Sequence, residues 1–396
     1  MKRIINTFSL KALVVVLSFF LVVPFITAEE DPEKCLINPE QIDYSFCNLS
    51  GADLGWMDLK KTIFIGANLS KANLEGVDLK QAELEDADLS WAELKNSDLR
   101  GAQFKKAKLK WADLTKVKLE GGNFQNADLT EAIIVKANVV RGIFKGANLF
   151  KAKMNNSLFR QADFSKSKLN KANLELSVFT LARFDNADLK EANLKGANLS
   201  KASFKSANLS LTNLSETDLR GANLSNANLN GANLEFANLE GATLSAAEVE
   251  NATFRNARLY KSNLKQVNFE LTDLAGTIFQ RASLEESELN RTKLAGLNFK
   301  RAKLKGTEFK RANLEKSSFK RAKLTNTQFQ KANLKGADFR KAELTKVDFS
   351  DADLKGANFE KAKIKQCDFE DADLSMAIWI DGKVCKKGSV GKCNTQ

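Results

Sequence analysis

The sequence predicts an all-β solenoid, a four-sided coil of very short strands with about 16 turns of 20 residues. Three observations carry that reading. From Leu49 to Leu374 every fifth residue is a large apolar one, 66 positions without a slip of phase: 41 Leu, 20 Phe, and Ile134, Val139, Met154, Val249 and Ile364. Two residues before each stands a small one, Ala at 41 of the 66, and only Met57 and Leu297 are bulky there. Finally, Phe104, Phe124, Phe144, Phe164, Phe184 and Phe204 recur every 20 residues, as do Phe159 and Phe179.

A period of five excludes a helix, because five residues overshoot one α-helical turn by about 140° and the apolar positions would spiral around it. Small-x-large instead alternates with period two, placing both side chains on one face of an extended segment. The next two residues break the alternation, so a corner follows each strand. Aromatic rings stack when they stand above one another in adjacent strands, so 20 residues make one turn and four pentads make a square section. Phe299 through Phe369 then recur every 10 residues with Leu or Ile halfway, which places Phe on two opposite walls. With strands about 4.8 Å apart, the repeats span a rod roughly 80 Å long.

The runs GANLS-KASF, GANLSNANLNGANLEFANLEGA and KGADFRKAEL resemble the pentapeptide-repeat proteins, whose motif is A(D/N)LXX. The resemblance covers residues 44–379. It implies the family's right-handed quadrilateral β-helix, with the Leu/Phe and Ala positions inside and the other three outside. The family's best-known function is inhibition of DNA gyrase by an acidic rod that mimics DNA. A chain of net charge +12 departs from that pattern, because a basic rod cannot imitate a polyanion.

Residues 1–28 read as a secretory signal peptide: Lys2 and Arg3 precede the apolar run Ala12–Ile26, and Ile26-Thr27-Ala28 offers a small-residue cleavage site. The run is too short for an ordinary membrane span, so no stable span is expected after cleavage. An N-terminal cap at 29–48, the β-helix at 49–379 and a C-terminal tail at 380–396 follow. Pro24, Pro32 and Pro39 all precede the repeats, as expected where every strand must donate its N–H to a ladder. Cys35 and Cys47 flank the start of the first coil, and Cys385 and Cys393 lie in the tail. A β-helix has two open ends that must be covered, so a pair at each end reads as a disulfide staple on each cap of an exported, periplasmic or extracellular protein. Cys367 falls on an inward small position and is expected to be a buried free thiol.

The chain has no histidine. That removes the commonest general base, the Ser-His and Cys-His pairs and nearly every catalytic zinc site. The carboxylate pairs Asp86/Asp88, Asp351/Asp353 and Asp371/Asp373 read as a solvated face, since the motif itself favours Asp before the central Leu. The expectation is a chain that is not an enzyme, with no catalytic residue, cofactor or metal.

Three surface features stand above this background. Lys300-Arg301, Lys310-Arg311, Lys320-Arg321, Lys331 and Arg340-Lys341 follow successive Phe positions and form two basic ladders on opposite corners. Stacked like charges cost energy, which hints at an anionic partner. Val140, Leu158, Leu176, Val178 and Leu181 are apolar where side chains should point outward, which suggests an interface. Trp91 and Trp111 are outward and 20 apart, which suits a mutual stack or a platform for sugar rings. Two functions remain. One is a non-catalytic structural or protein-interaction rod of the bacterial cell envelope or exterior, holding an unknown protein or a second copy. The other is a polyanion-binding module for envelope polysaccharide or lipopolysaccharide, not DNA.

Overall fold

The computed structural model describes Cys35, Ile37 and residues 41–395. The segment 1–28, the three prolines and half of the cap 29–48 lie outside the described residues. Nearly every residue that precedes a central apolar position pairs in parallel with its counterpart 20 residues on, from Asp43↔Ile63 to Asn358↔Ile378. On one wall the pairing lengthens into β1 Lys303–Lys305, β2 Lys323–Thr325, β3 Glu343–Thr345 and β4 Lys363–Lys365, a parallel sheet in that order. The square coil expected from the spacing is the fold.

The destinations of the backbone N–H groups account for the repeat. Around Leu69, the N–H of Asn68 donates to Cys47 in the preceding coil at 2.8 Å, and those of Leu69 and Lys71 donate to Asp88 and Ser90 in the following one at 2.7 and 2.9 Å. The N–H of Ala67 closes the corner on the Phe64 carbonyl at 3.0 Å. One donor is left, that of Ser70, and Asn68 Oδ1 accepts it at 3.1 Å. An unpaired backbone donor is costly, so Asn or Asp before the central Leu is the side chain that completes the ladder, in an Asx turn. At the corners the third turn residue is left-handed, as at Lys71 with φ 58°, the conformation that a type II turn requires.

Corner geometry varies with the residue at the small position. The corner bond measures 3.1 Å at Ala72 and Ala102 and 3.0 Å at Ala202, but 3.4 Å at Val117 and Thr217 and 3.5 Å at Thr307. The lengthening is not general, since Thr272 and Thr277 keep corner bonds of 3.0 and 3.1 Å. Serine and threonine there bond their hydroxyls to backbone carbonyls, as Ser97 does to Leu94 at 2.6 Å and Thr212 to Leu189 at 3.1 Å.

Inside, Phe104, Phe124 and Phe144 stack at 4.6 and 5.0 Å, and Phe144, Phe164, Phe184 and Phe204 continue at 4.7, 4.9 and 4.8 Å. Towards the C-terminus the two Phe stacks stand on opposite walls. Phe299–Phe319 and Phe309–Phe329 stack at 5.1 and 5.0 Å, and the stacks meet edge to face, as at Phe309–Phe319, 6.0 Å and 82°.

Between these packings lies one irregular coil. Among the described residues, Leu271 is the one third-turn residue between Phe46 and Met376 without a positive φ. Asp273 and Lys293 do not pair although their neighbours do, and the N–H groups of Leu274, Gly276 and Phe279 lack the ladder bond their counterparts make. Here Val267, Thr272, Thr277, Thr292 and Leu297, all larger than alanine, fill the small positions.

Both ends are stapled. Cys35 is bonded to Cys47 with Tyr44 stacked on Phe64 at 5.4 Å, and Cys385 is bonded to Cys393. The tail folds antiparallel across the last coil through Asp373↔Val390 and Ile378↔Val384. That covers two walls and leaves Ile364, Cys367 and Phe369 on the other two partly exposed. Cys367 is therefore a free thiol that is only half-buried, not fully buried as expected, because no further coil lies below it.

Candidate functional site: a basic wall and an apolar patch

The outward residues form straight columns along the rod, so a surface is read at intervals of 20. The three carboxylate pairs divide by role. Asp88, Asp353 and Asp373 accept the N–H of Ser90, Lys355 and Ser375 at 3.0, 3.2 and 3.0 Å. Asp86, Asp351 and Asp371 are left-handed corner residues with φ of 58, 57 and 54°. Both roles are structural. Among the described residues, no three His, Cys, Asp or Glu side chains are grouped as metal ligands, and no helix is long and apolar enough to cross a membrane.

Leu158 pairs directly with Val178, as their spacing suggested. Leu176 and Leu181, 57% and 47% exposed, occupy the two corners that flank Val178, and Val140 lies at the edge of the same wall one coil before Leu158. Leu176 lies down over the next coil because residue 196 is glycine: a Cβ there would meet Leu176 Cδ2 at 2.8 Å. All five residues thus fall on one wall across three coils. Trp91 and Trp111 stack at 4.6 Å with their planes 17° apart.

The basic residues do stand on two opposite corners, but the two ladders differ. On one corner Lys310 pairs with Glu308 at 3.1 Å, and the column Arg311, Lys331 runs on into Asp351 and Asp371. On the other, the column Lys261, Arg281, Arg301, Arg321, Lys341, Lys361 is basic for six coils. Arg340 is taken by Asp338, with Nε to Oδ1 and Nη2 to Oδ2 both 2.9 Å. Lys300, Arg301, Lys320, Arg321 and Lys341 lie within ion-pair distance of no carboxylate among the described residues.

The same corner near the N-terminus shows a neutralised ladder for contrast. There Lys60, Lys80 and Arg100 pair with Asp58, Asp78 and Asp98 at 2.8, 2.9 and 2.7 Å. In each case the Asp lies two residues earlier. Before Lys300 and Lys320 that position holds Asn298 and Ser318, so the partner carboxylate is missing.

Reading along the chain missed the rest of this surface. The wall next to the free ladder carries β1–β4, whose charged outward residues are Lys303, Lys305, Lys323, Lys363 and Lys365, with Glu343 the single acid. Glu343 pairs with Lys323 and Lys363 at 3.6 and 3.8 Å, while Lys303, Lys305 and Lys365 stay unpaired among the described residues. Writing the sequence in rows of 20 would have put them beside Arg301 and Arg321. Corner and wall form one exposed basic strip.

Family models match most of the chain. A pentapeptide repeat region matches residues 177–254 and 297–369. Pentapeptide repeats in eight copies match 47–86, 82–121, 107–146, 143–180, 252–291 and 268–306. Among solved structures, HetL, a pentapeptide repeat protein involved in heterocyst differentiation regulation from the cyanobacterium Nostoc sp. strain PCC 7120, is 28% identical over 63% of this chain and 91% of its own, with a TM-score of 0.27. Rfr23 from the cyanobacterium Cyanothece 51142 is 45% identical over 24% of this chain and 58% of its own, with a TM-score of 0.15. QnrB1, a plasmid-mediated fluoroquinolone resistance protein, is 18% identical over 48% and 88%, with a TM-score of 0.27. No curated protein matches the sequence. The matched repeats run from residue 47 to 369: the chain belongs to the pentapeptide-repeat family, and its fold is that family's right-handed quadrilateral β-helix.

Proposed function

We propose that the protein is a non-catalytic interaction rod of the bacterial cell envelope or exterior, and that its basic strip binds an anionic envelope polymer. The observation that carries this reading is the set of cations at Lys300, Arg301, Lys303, Lys320 and Arg321, unpaired among the described residues. Stacked like charges destabilise a sheet, and the N-terminal coils neutralise theirs, so an unneutralised ladder is a cost that a bound polyanion offsets. Binding of the chain to immobilised dextran sulfate, measured over a range of salt, tests it. Retention at low salt that falls steeply as salt rises is expected, with neutral dextran not bound. No retention at low salt, or retention insensitive to salt, would contradict it.

The contact of Leu158 with Val178 favours a second use of the rod, in which the apolar wall holds a protein partner or a second copy. Leu158→Lys with Val178→Lys should leave the fold intact and release that partner, or reduce the sedimenting mass. Unchanged mass and an unchanged set of bound proteins would make the patch ordinary surface.

A further inference from the structure

We propose, resting on the reading of the apolar wall as an interface, that this wall pairs with the same wall of a second copy. The two rods run antiparallel, related by a two-fold axis that crosses the wall between Leu158 and Val178. The central column of the wall is unbroken from Asp78 to Arg258, each residue bridged to the one a coil further on, with Leu158 and Val178 at its middle. An axis there sets each coil before Leu158 against the coil equally far beyond Val178 in the second copy. Lys118, two coils before Leu158, therefore lies opposite Asp218, two coils after Val178.

The flanking charges are complementary under that exchange. On the corner beside Lys118 and Asp218, Lys116 meets Glu216, and at the other edge of the wall Glu120 meets Arg220. One coil further from the axis Arg100 meets Glu240, and one beyond that Asp78 meets Arg258. Symmetry makes every one of these contacts twice. Lys116, Lys118, Glu240 and Arg258 have no ion-pair partner in their own chain among the described residues. Glu216 and Asp218 hold Lys195 and Arg220 at 3.3 and 2.6 Å on side chains open to a second cation. Arg141 against Lys201 is the one like-charged match in this stretch, and both stand on a corner, where side chains can turn into solvent.

Other arrangements of two copies fail on the same residues. An axis along the rods sets each central residue against itself, Lys118 on Lys118, Asp98 on Asp98 and Arg258 on Arg258. Sliding the antiparallel pair by one coil puts Glu120 on Glu240 in one direction, and Asp98 on Asp218 with Arg100 on Arg220 in the other. A surface that matches itself in one register is what an isologous interface requires. Exposed ion pairs contribute little singly, so Leu158, Leu176, Val178 and Leu181 supply the adhesion and the charges set direction and register. In this pairing the coils that carry Lys300–Lys365 project beyond the N-terminal end of the second copy, so the basic strip stays open.

Sedimentation equilibrium of the full chain over a range of concentration should show a dimer. Lys116→Glu with Lys118→Asp, and separately Glu216→Lys with Asp218→Lys, should each weaken pairing by about tenfold or more, because like charges then face each other at both ends. Mixed in equal amounts, the two variants should recover the dimer, since the reversed charges of each meet those of the other. Melting curves establish that both fold, and Lys116→Glu and Glu216→Lys alone serve instead if either does not. A wild-type chain that stays monomeric at every concentration would overturn self-pairing, and the wall would remain an interface only if Leu158→Lys with Val178→Lys releases another protein. Dimers lost in that apolar double variant but untouched by both charge reversals, or reversed variants that do not rescue each other, would overturn the antiparallel register alone. Dimers that survive Leu158→Lys with Val178→Lys would overturn the pairing through this wall.

Discussion

Arg301 and Arg321 occupy the same corner of successive coils, both left-handed at φ 60°, with neither guanidinium near a carboxylate among the described residues. A stack of two cations held open by the backbone is a local conflict, and it separates stability from function. Arg321→Gln should raise the stability of the unbound protein by about 0.2–1 kcal/mol, the usual size of a cross-strand pair effect, and weaken polyanion binding at the same time. Gln already serves at left-handed corners such as Gln81 and Gln161, so the backbone tolerates it. Thermal melts with and without polymer read both effects. A fall in the unbound melting temperature would mean that Arg321 has a structural role.

The inside–outside assignment is tested by neighbours. Leu234 is fully buried, and Leu234→Asp places an unpaired charge in the prism, costing roughly several kcal/mol. Asn233 faces outward and accepts the N–H of Glu235 through Oδ1 at 3.0 Å. Asn233→Asp keeps that acceptor and should be nearly neutral. Equal loss of melting temperature in the two variants would contradict the register.

Much of this was legible because the repeat is strictly local. The Leu and Phe positions, the 20-residue turn, the opposed Phe walls, the Trp91–Trp111 stack and the two cysteine pairs follow from spacing alone. What was not legible depends on neighbours one coil away. Arg340 is neutralised and Lys300 is not, and the difference is Asp338 against Asn298. Lys303 and Lys305 join the strip only once residues 20 apart are laid side by side. Cys367 is only half-buried because the tail crosses the other two walls, a topology that no repeat encodes.

The cysteines give a chemical check. Non-reduced peptide mapping should recover Cys35 joined to Cys47 and Cys385 joined to Cys393. Cys367 should alkylate in the folded protein, since it is half-buried at the open end. Desolvation by burial raises its pKa above the ordinary thiol value, so the thiolate fraction, and with it the labelling rate, should still be climbing at pH values where a free thiol has levelled off. Labelling only after unfolding would restore a closed end.

The irregular coil at Leu271 should be the weakest part of the ladder. Amides of Leu274, Gly276 and Phe279 are expected to exchange with solvent faster than those of Leu214, Gly231 and Leu234, which keep their ladder bonds of 2.7–2.8 Å. Uniform protection along the rod would contradict a ladder opened at this coil.

The most direct measurement of the binding claim is a lysine footprint, in which the folded chain is briefly acetylated with and without dextran sulfate and each lysine is quantified by mass spectrometry. Bound polymer should protect Lys300, Lys303, Lys305 and Lys320, which share the basic strip, and leave Lys310, Lys331 and Lys335 on the other side of the rod at their unbound rates. Equal protection of both groups, or protection of neither under conditions where the polymer is bound, would contradict a binding surface on that strip.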